Sequence, residues 1–246
     1  VTAKLVLILL LCSLTGPACH QEESPTPQRL LQVLKDGCAA KDTGLLLTYV
    51  DIHYQDDLGG PGRLEDDLRR MFTVYGKLEV ELEDVTVSPE EIKGHAVLAG
   101  RRMHFSGPLD LKISKVPDGY LVISGLWTEL RGILHTLRER RLALESGVPA
   151  RMERFVSDQY QGGGGGREDY LSRLRNDLAA VQATALIVDD VNITIGGGSD
   201  ERPCAKVIQS YLLIQGVGER KLENRDRERL TLCKEGSLWR FVGGLG

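Results

Sequence analysis

Tyr49-Val50-Asp51-Ile52-His53-Tyr54-Gln55-Asp56-Asp57-Leu58-Gly59-Gly60 is answered 106 residues later by Phe155-Val156-Ser157-Asp158-Gln159-Tyr160-Gln161-Gly162-Gly163-Gly164-Gly165-Gly166. The correspondence continues without a gap, so that residues 49–87 recur as 155–193. Val50, Tyr54, Gln55, Gly59, Gly60, Leu68, Arg69, Asp84 and Val85 have identical partners in Val156, Tyr160, Gln161, Gly165, Gly166, Leu174, Arg175, Asp190 and Val191. A period of this length is the size of a whole small domain, far longer than a solenoid unit. Two copies of one fold are therefore expected in a chain of 246 residues.

Working outward, Pro27 opens a helix with Leu30, Leu31 and Leu34 on one face. A short helix over 45–50, a loop over 53–62 and a third helix over 63–75 follow. The pattern then switches to period two: Leu78, Val80 and Leu82 alternate with Glu79, Glu81 and Glu83. The phase jumps at Asp84, which predicts a β-bulge. Strands are predicted at 94–105, 109–115 and 120–126, the last two joined by the turn Pro117-Asp118-Gly119. The second half repeats the order. A helix over 128–146 doubles as the linker, and a short helix, a glycine loop over 159–166 and a third helix through Tyr170, Leu171, Leu174 and Leu178 come next. Strands at 186–195, with the same phase jump at Asp189-Asp190, then 205–215, 228–234 and 238–242 complete it.

The first residues read as an export signal. Lys4 is followed by the apolar run 5–11 and then Gly16-Pro17-Ala18, too short for a stable membrane span. Cys19 directly after Ala18 also resembles a bacterial lipoprotein cleavage site, with Gly16 where a Leu is usual. Residues 1–18 are thus read as a signal peptide and 19–27 as a polar tether. Lipidation at Cys19 and simple secretion both fit, and either places the chain outside the cytoplasm, in the periplasm or anchored to a bacterial membrane through lipid alone. Export permits disulfides. Cys204 begins one strand-like run and Cys233 ends the next, so a hairpin folded near Gly218 brings them together, as a disulfide or as two buried thiols. Cys38 reads as a small core residue. No Cys/His spacing suggests zinc, and neither metal nor cofactor is expected.

Composition excludes some partners. The chain holds 31 basic and 35 acidic residues, a net charge of −4, which offers no counterion-release footprint for nucleic acid. Aromatics at 5% supply no base-stacking platform. The run Arg138-Glu139-Arg140-Arg141 reads as a solvated helix face.

Three helices followed by a bulged, long-stranded sheet that ends in an aromatic strand resembles the nuclear transport factor 2-like (NTF2-like) superfamily, with its SnoaL-like and ketosteroid isomerase-like members. The residues carrying the resemblance are Tyr54-Gln55-Asp56-Asp57, 78–87, Gly94-His95-Ala96-Val97 and 120–126 in the first half. In the second they are Tyr160-Gln161, 186–195 and Leu238-Trp239-Arg240-Phe241. The resemblance implies an α+β chain of two tandem cone-like domains over 28–127 and 128–246. Each would pack three N-terminal helices on a strongly curved, mostly antiparallel sheet and leave a pocket open at one end.

Isomerases of this superfamily use a carboxylate base and an oxyanion hole containing a Tyr. That set does not carry over, because neither 27–36 nor 128–146 contains a Tyr. The positions selected for a pocket are Tyr54, Asp84 and His104 in the first half and Tyr160, Asp190 and Trp239 in the second. Each has a bland reading beside it. Tyr54 and Tyr160 sit at a helix-to-loop corner, where a buried ring bonds its hydroxyl to backbone. Asp84 and Asp190 are bulge residues suited to bonding free backbone N–H groups. His95 and His104, an odd number apart on one predicted strand, face opposite ways. The five glycines of 162–166 lack the Lys-Ser/Thr of a phosphate loop and read as a flexible loop able to gate a pocket.

The function these readings favour is non-catalytic binding or scaffolding by an exported, lipid-anchored protein. An unidentified envelope protein or a small apolar ligand is the expected partner, and sheet faces could pair two copies. The alternative is a small-molecule isomerase or hydrolase with one working pocket.

Overall fold

The computed structural model of the protein describes residues 26–180, 183–197, 202–217 and 220–245. The expected signal, Cys19 and nearly all of the tether lie outside the described residues. The chain is α+β. Its first half runs α1 (Pro27–Ala40), α2 (Thr43–Thr48), α3 (Pro61–Tyr75), β1 (Glu79–Val87), β2 (Glu91–Ala99), β3 (Met103–Val116) and β4 (Gly119–Ser124). The second runs α4 (Thr128–Ser146), α5 (Ala150–Glu153), β5 (Gln161–Gly162), β6 (Gly165–Gly166), α6 (Arg167–Ala180), β7 (Ala183–Gly197), β8 (Pro203–Val217), β9 (Arg220–Glu235) and β10 (Leu238–Gly243).

Local chemistry sets these boundaries. Proline occupies the first turn of both α1 and α3, where its missing N–H costs nothing. Asp42 caps α2 by accepting from Leu45 N at 2.9 Å. The bulges fall where the alternation slips: the β1–β2 register shifts between Glu83 and Thr86, and the β7–β8 register between Val188 and Asp190. Asp84 takes φ 50° in the first of them, a left-handed conformation that Asp tolerates better than most residues.

Two local expectations are corrected. The strand expected over 94–105 is divided by a turn closed by Gly100 N donating to Met103 O at 2.8 Å. The buried positions change parity across this turn, from Ala96 and Leu98 to Met103 and Phe105. His95 and His104 therefore lie on separate strands, opposite Pro108 and Ala99, and share one face of the sheet instead of facing opposite ways. The glycine loop is a two-rung ladder, with Gln161 opposite Gly166 and Gly162 opposite Gly165.

The sheet is the larger departure. Two separate sheets were expected, yet β1-β2-β3 and β7-β8-β9-β10 form one eight-stranded sheet together with β4, which pairs with β3. The union is a parallel ladder between β3 and β7 in which Met103, His104, Phe105 and Ser106 face Val191, Asn192, Ile193 and Thr194. All other ladders are antiparallel among the described residues. The buried cluster is likewise continuous, running from Leu30 and Leu64 through Phe105 and Ile193 to Phe241.

The halves nevertheless share detail beyond element order. Val50 bridges Val122 as Val156 bridges Phe241. Gly125 and Gly244 take φ 92° and 87°, and a Cβ on them would lie 1.9 Å from Asp110 O and 2.0 Å from Arg229 O. Both turns thus demand glycine on two counts, conformation and space. Cys204 and Cys233 lie opposite each other on β8 and β9 and are joined in a disulfide, while Cys38 is a free thiol whose burial pushes its pKa up to about 12.

Candidate functional site

The interiors of the two halves differ in chemistry. The first is filled by hydrocarbon: Leu34, Leu64, Leu68, Met71 and Leu109 are all at most 3% exposed. The strand registers that place Leu109 opposite Gly94 in the first half place Glu228 opposite Gln209 in the second. There Arg140 of α4 meets Glu228 in a two-pronged ion pair at 2.5 and 2.8 Å, and Gln209 donates to the same carboxylate. Burial opposes the Arg140 charge, but Glu228 outweighs it and raises its pKa. The helical run 138–141 is thus not a solvated face: Glu139 and Arg140 are buried. Four consecutive residues span more than a full helical turn, so one of them must point inward.

Gln209 lies at the floor of a cleft of about 630 Å³ between α3 and Arg102 on one side and α4 and β7 on the other. Met71, Val74, Leu134, Leu137, Leu186 and Val188 give it an apolar lining. Six arginines, Arg63, Arg70, Arg102, Arg131, Arg138 and Arg141, line it against only two carboxylates, Asp67 and Glu145. Arg102 ties the halves together by donating to the carbonyls of Val74, Val188 and Asp189. Arg63 pairs with Asp67 at 3.1 Å, and Arg141 with Glu145 at 3.6 Å. Arg70 and Arg138 have neither an ion pair nor a hydrogen bond among the described residues. Partial burial, then the like charge of Arg70, lowers the Arg138 pKa. His135 also lines the cleft, and its Nδ1 lies 3.3 Å from Arg63 Nη2. A guanidinium can only donate, so this nitrogen accepts and the imidazole is neutral. Burial, then Arg63, holds the His135 pKa below its ordinary value.

One wall of the cleft is anchored by a buried network. Arg131, 2% exposed, donates to Asp56 at 2.6 Å and to Asp67 at 3.1 Å. Asp56 also accepts from Tyr54 Oη at 2.5 Å and Thr128 Oγ1 at 2.8 Å. Burial works against the Asp56 charge, but these donors together with the Leu58 N–H hold its pKa below the usual range. Beside it, Lys234 bridges Asp57 and Glu129 at 2.9 and 2.7 Å, and Glu129 accepts from the Trp239 indole N–H at 2.9 Å.

The structure does not gather the six expected pocket residues, and none lines the cleft. Asp84, His104 and Asp190 are exposed, because the left-handed turn at Asp84, the bulge at Asp190 and the outward phase of β3 at His104 aim them at solvent. The Asp84 carboxylate bonds no backbone N–H among the described residues. Tyr160 donates to Leu245 O at 2.5 Å, and Tyr54 accepts from Leu126 N at 3.2 Å while donating to Asp56, so both rings are structural. Trp239 is buried against Gly132. The glycine hairpin does not border the cleft and does not gate it. Among the described residues no group of three or more His, Cys, Asp or Glu could hold a metal ion, and no helix is long and apolar enough to cross a membrane.

The sequence matches no protein-family model, and no curated protein matches it significantly. Solved structures with NTF2-like features are similar to part of it. A proposed scytalone dehydratase from Novosphingobium aromaticivorans is 18% identical over 47% of this chain and 80% of its own, with a TM-score of 0.40. A proposed dehydratase of the NTF2-like family from Streptomyces avermitilis is 13% identical over 48% of this chain and 93% of its own, with a TM-score of 0.41. A proposed ketosteroid isomerase from Shewanella frigidimarina is 17% identical over 45% of this chain and 90% of its own, with a TM-score of 0.38.

Proposed function

We propose that this chain is an exported, lipid-anchored binding protein made of two tandem NTF2-like domains, 28–127 and 128–246, and that the cleft at their junction holds a small amphipathic anion. The doubling rests on the gapless repeat and on paired details such as Gly125 with Gly244. The division of labour rests on the interiors, one filled with Leu and Met and the other polar beside the cleft.

The observation that carries the ligand assignment is the pair Arg70 and Arg138, cations without partners among the described residues, beside the apolar lining of the cleft. An apolar body with a carboxylate, sulfate or sulfonate head satisfies both surfaces at once. Its head would relieve the mutual repulsion of the two guanidinium groups. The isomerase or hydrolase alternative needs a free carboxylate base, and the two carboxylates that line the cleft are engaged, Asp67 by Arg63 and Arg131 and Glu145 by Arg141. Dodecyl sulfonate below its micellar concentration is a direct probe, read by calorimetry. Replacing Arg138 by Glu places a like charge at the head-group site and is expected to weaken binding at least tenfold, about 1.4 kcal/mol. Dodecanol should bind far more weakly than the sulfonate. Equal affinities for wild type and Arg138→Glu would remove the anion from this reading.

A further inference from the structure

The β3–β7 ladder joins two different edges: β3 of the first half and β7, the leading strand of the second. Each of these edges has a counterpart elsewhere in the chain that is left unpaired. The repeat places Val191-Asn192-Ile193-Thr194 in correspondence with Val85-Thr86-Val87-Ser88, of which the first three lie on β1 and Ser88 opens the turn after it. The strand registers place Met103-His104-Phe105-Ser106 in correspondence with Leu222-Glu223-Asn224-Arg225 on β9, because Ile113 faces Val122 as Leu232 faces Phe241. β1 is the first strand of the sheet and, among the described residues, pairs only with β2. β10 covers β9 only from Thr231 to Glu235, which leaves the edge at 222–225 open.

We propose that these two edges dock a second copy of this chain, β1 of one copy adding in parallel to β9 of the next. The internal junction supplies the register: Val85 against Leu222, Thr86 against Glu223, Val87 against Asn224 and Ser88 against Arg225. Two further observations support the pairing. First, Met103 and Ile193 are 2% and 0% exposed at the internal junction, whereas their counterparts Leu222 and Val87 stand 53% and 36% exposed. Lone exposed apolar residues need no explanation, but this pair marks the two surfaces that the internal ladder buries. Second, the edges carry opposite charge. Glu79, Glu81, Glu83 and Asp84 on β1 are exposed and make no ion pair among the described residues. On β9 the exposed Lys221, Arg225, Arg227 and Arg229 outnumber the exposed Glu223 and Asp226, with Lys221 paired to Glu223 and Arg225 to Asp189. In the stated register Asp84 falls opposite Lys221, and Lys221 takes the place of Arg102, which clasps the strand carbonyls at the internal junction. Charges at an edge normally forbid like pairing. Here they forbid β1–β1 and β9–β9 contacts and favour β1–β9. The contact is head-to-tail, so it repeats into a ring if its rotation closes and a filament if it does not.

The test is the mass of the full chain in solution by sedimentation velocity at low salt. The expected result is a distribution that climbs through multiples of the single chain with concentration and falls back as salt is added. Glu81→Lys/Glu83→Lys reverses one edge and Lys221→Glu/Arg227→Glu the other; all four residues are exposed, so the fold is not at risk. Each pair alone should leave single chains, and both pairs in one chain should restore assembly. A wild type that stays single at every concentration overturns the proposal. So does a dimer that no reversal disturbs, as a contact between sheet faces would give, or a double reversal that stays single.

Discussion

Replacing Arg131 by Met removes, among the described residues, the only cation bonded to Asp56 and one of two bonded to Asp67, and it does so in the interior. Removing one partner of a buried ion pair costs about 3–5 kcal/mol, because the other charge is left without compensation. The structure places this case at the low end. Asp56 would keep the Tyr54 and Thr128 hydroxyls and the Leu58 and Gly59 N–H groups, and Asp67 would keep Arg63. A loss of about 3 kcal/mol follows, or about 6–12 °C in Tm for a chain of this length. Met fills the volume of the Arg stem, so little of that loss is cavity. The effect should also depend on pH. The folded Asp56 pKa is depressed, so its contribution is fully present above the unfolded value and is lost as the pH falls through the folded one. Below about pH 4 the gap between wild type and variant should therefore narrow. Chemical denaturation at pH 7 and at pH 3.5, with Asp56→Asn and the double variant completing a cycle, measures the coupling directly. A loss under about 1 kcal/mol at pH 7, or a coupling energy near zero, would refute the claim that this network fixes α4 to the first half.

Two further outcomes are expected. Replacing Cys204 and Cys233 by Ser opens a link across 29 residues; chain entropy alone puts the loss at about 3–4 kcal/mol, measured by thermal unfolding with and without reductant. His135 should make stability fall as the pH drops: its folded pKa lies below the unfolded one, so between the two values the unfolded chain binds more protons. His135→Asn should flatten that part of the stability profile between about pH 7 and pH 5, and an unchanged profile would mean that the ring is not held neutral.

What was legible in the sequence was local or periodic. The bulges could be read because an extra residue breaks a period of two, and the Cys204–Cys233 neighbourhood because a hairpin brings its own ends together. The junction could not. Met103 to Ser106 alternate like any strand, and nothing in them names Val191 to Thr194 as partners on the far side of a helix. Arg131 was unreadable for the same reason, since its carboxylates come from Asp56 and Asp67 and an arginine in a helix ordinarily faces water. Arg140 did leave a trace. A charged run longer than one helical turn cannot stay on one face, and the inward position could have been asked for its counter-ion. None of the six pocket candidates lines the cleft, and in four of them, Tyr54, Tyr160, Asp84 and Asp190, the signal is recurrence, which marks what both halves share. Tyr54 and Tyr160 recur because each half needs a ring to close its last strand.

That last point explains why the cleft lies at the junction. On the reading proposed here, the residues kept in both copies are those that build the fold: the tyrosine corner, the glycine beside the carbonyl, the bulge. Residues that act on a ligand should be those in which the copies differ, and this is what the interiors display. Leu34, Leu64 and Leu109 fill one, while Arg140, Tyr170 and Glu228 stand at the corresponding positions of the other. A buried ion pair is weak evidence for stability, since apolar side chains of like volume do as well or better. Its place beside a cleft where Arg70 and Arg138 lack partners among the described residues is better accounted for by orientation. With Glu228 holding it, Gln209 is fixed at the floor of the cleft, so a ligand there meets a donor and acceptor set that has already been ordered.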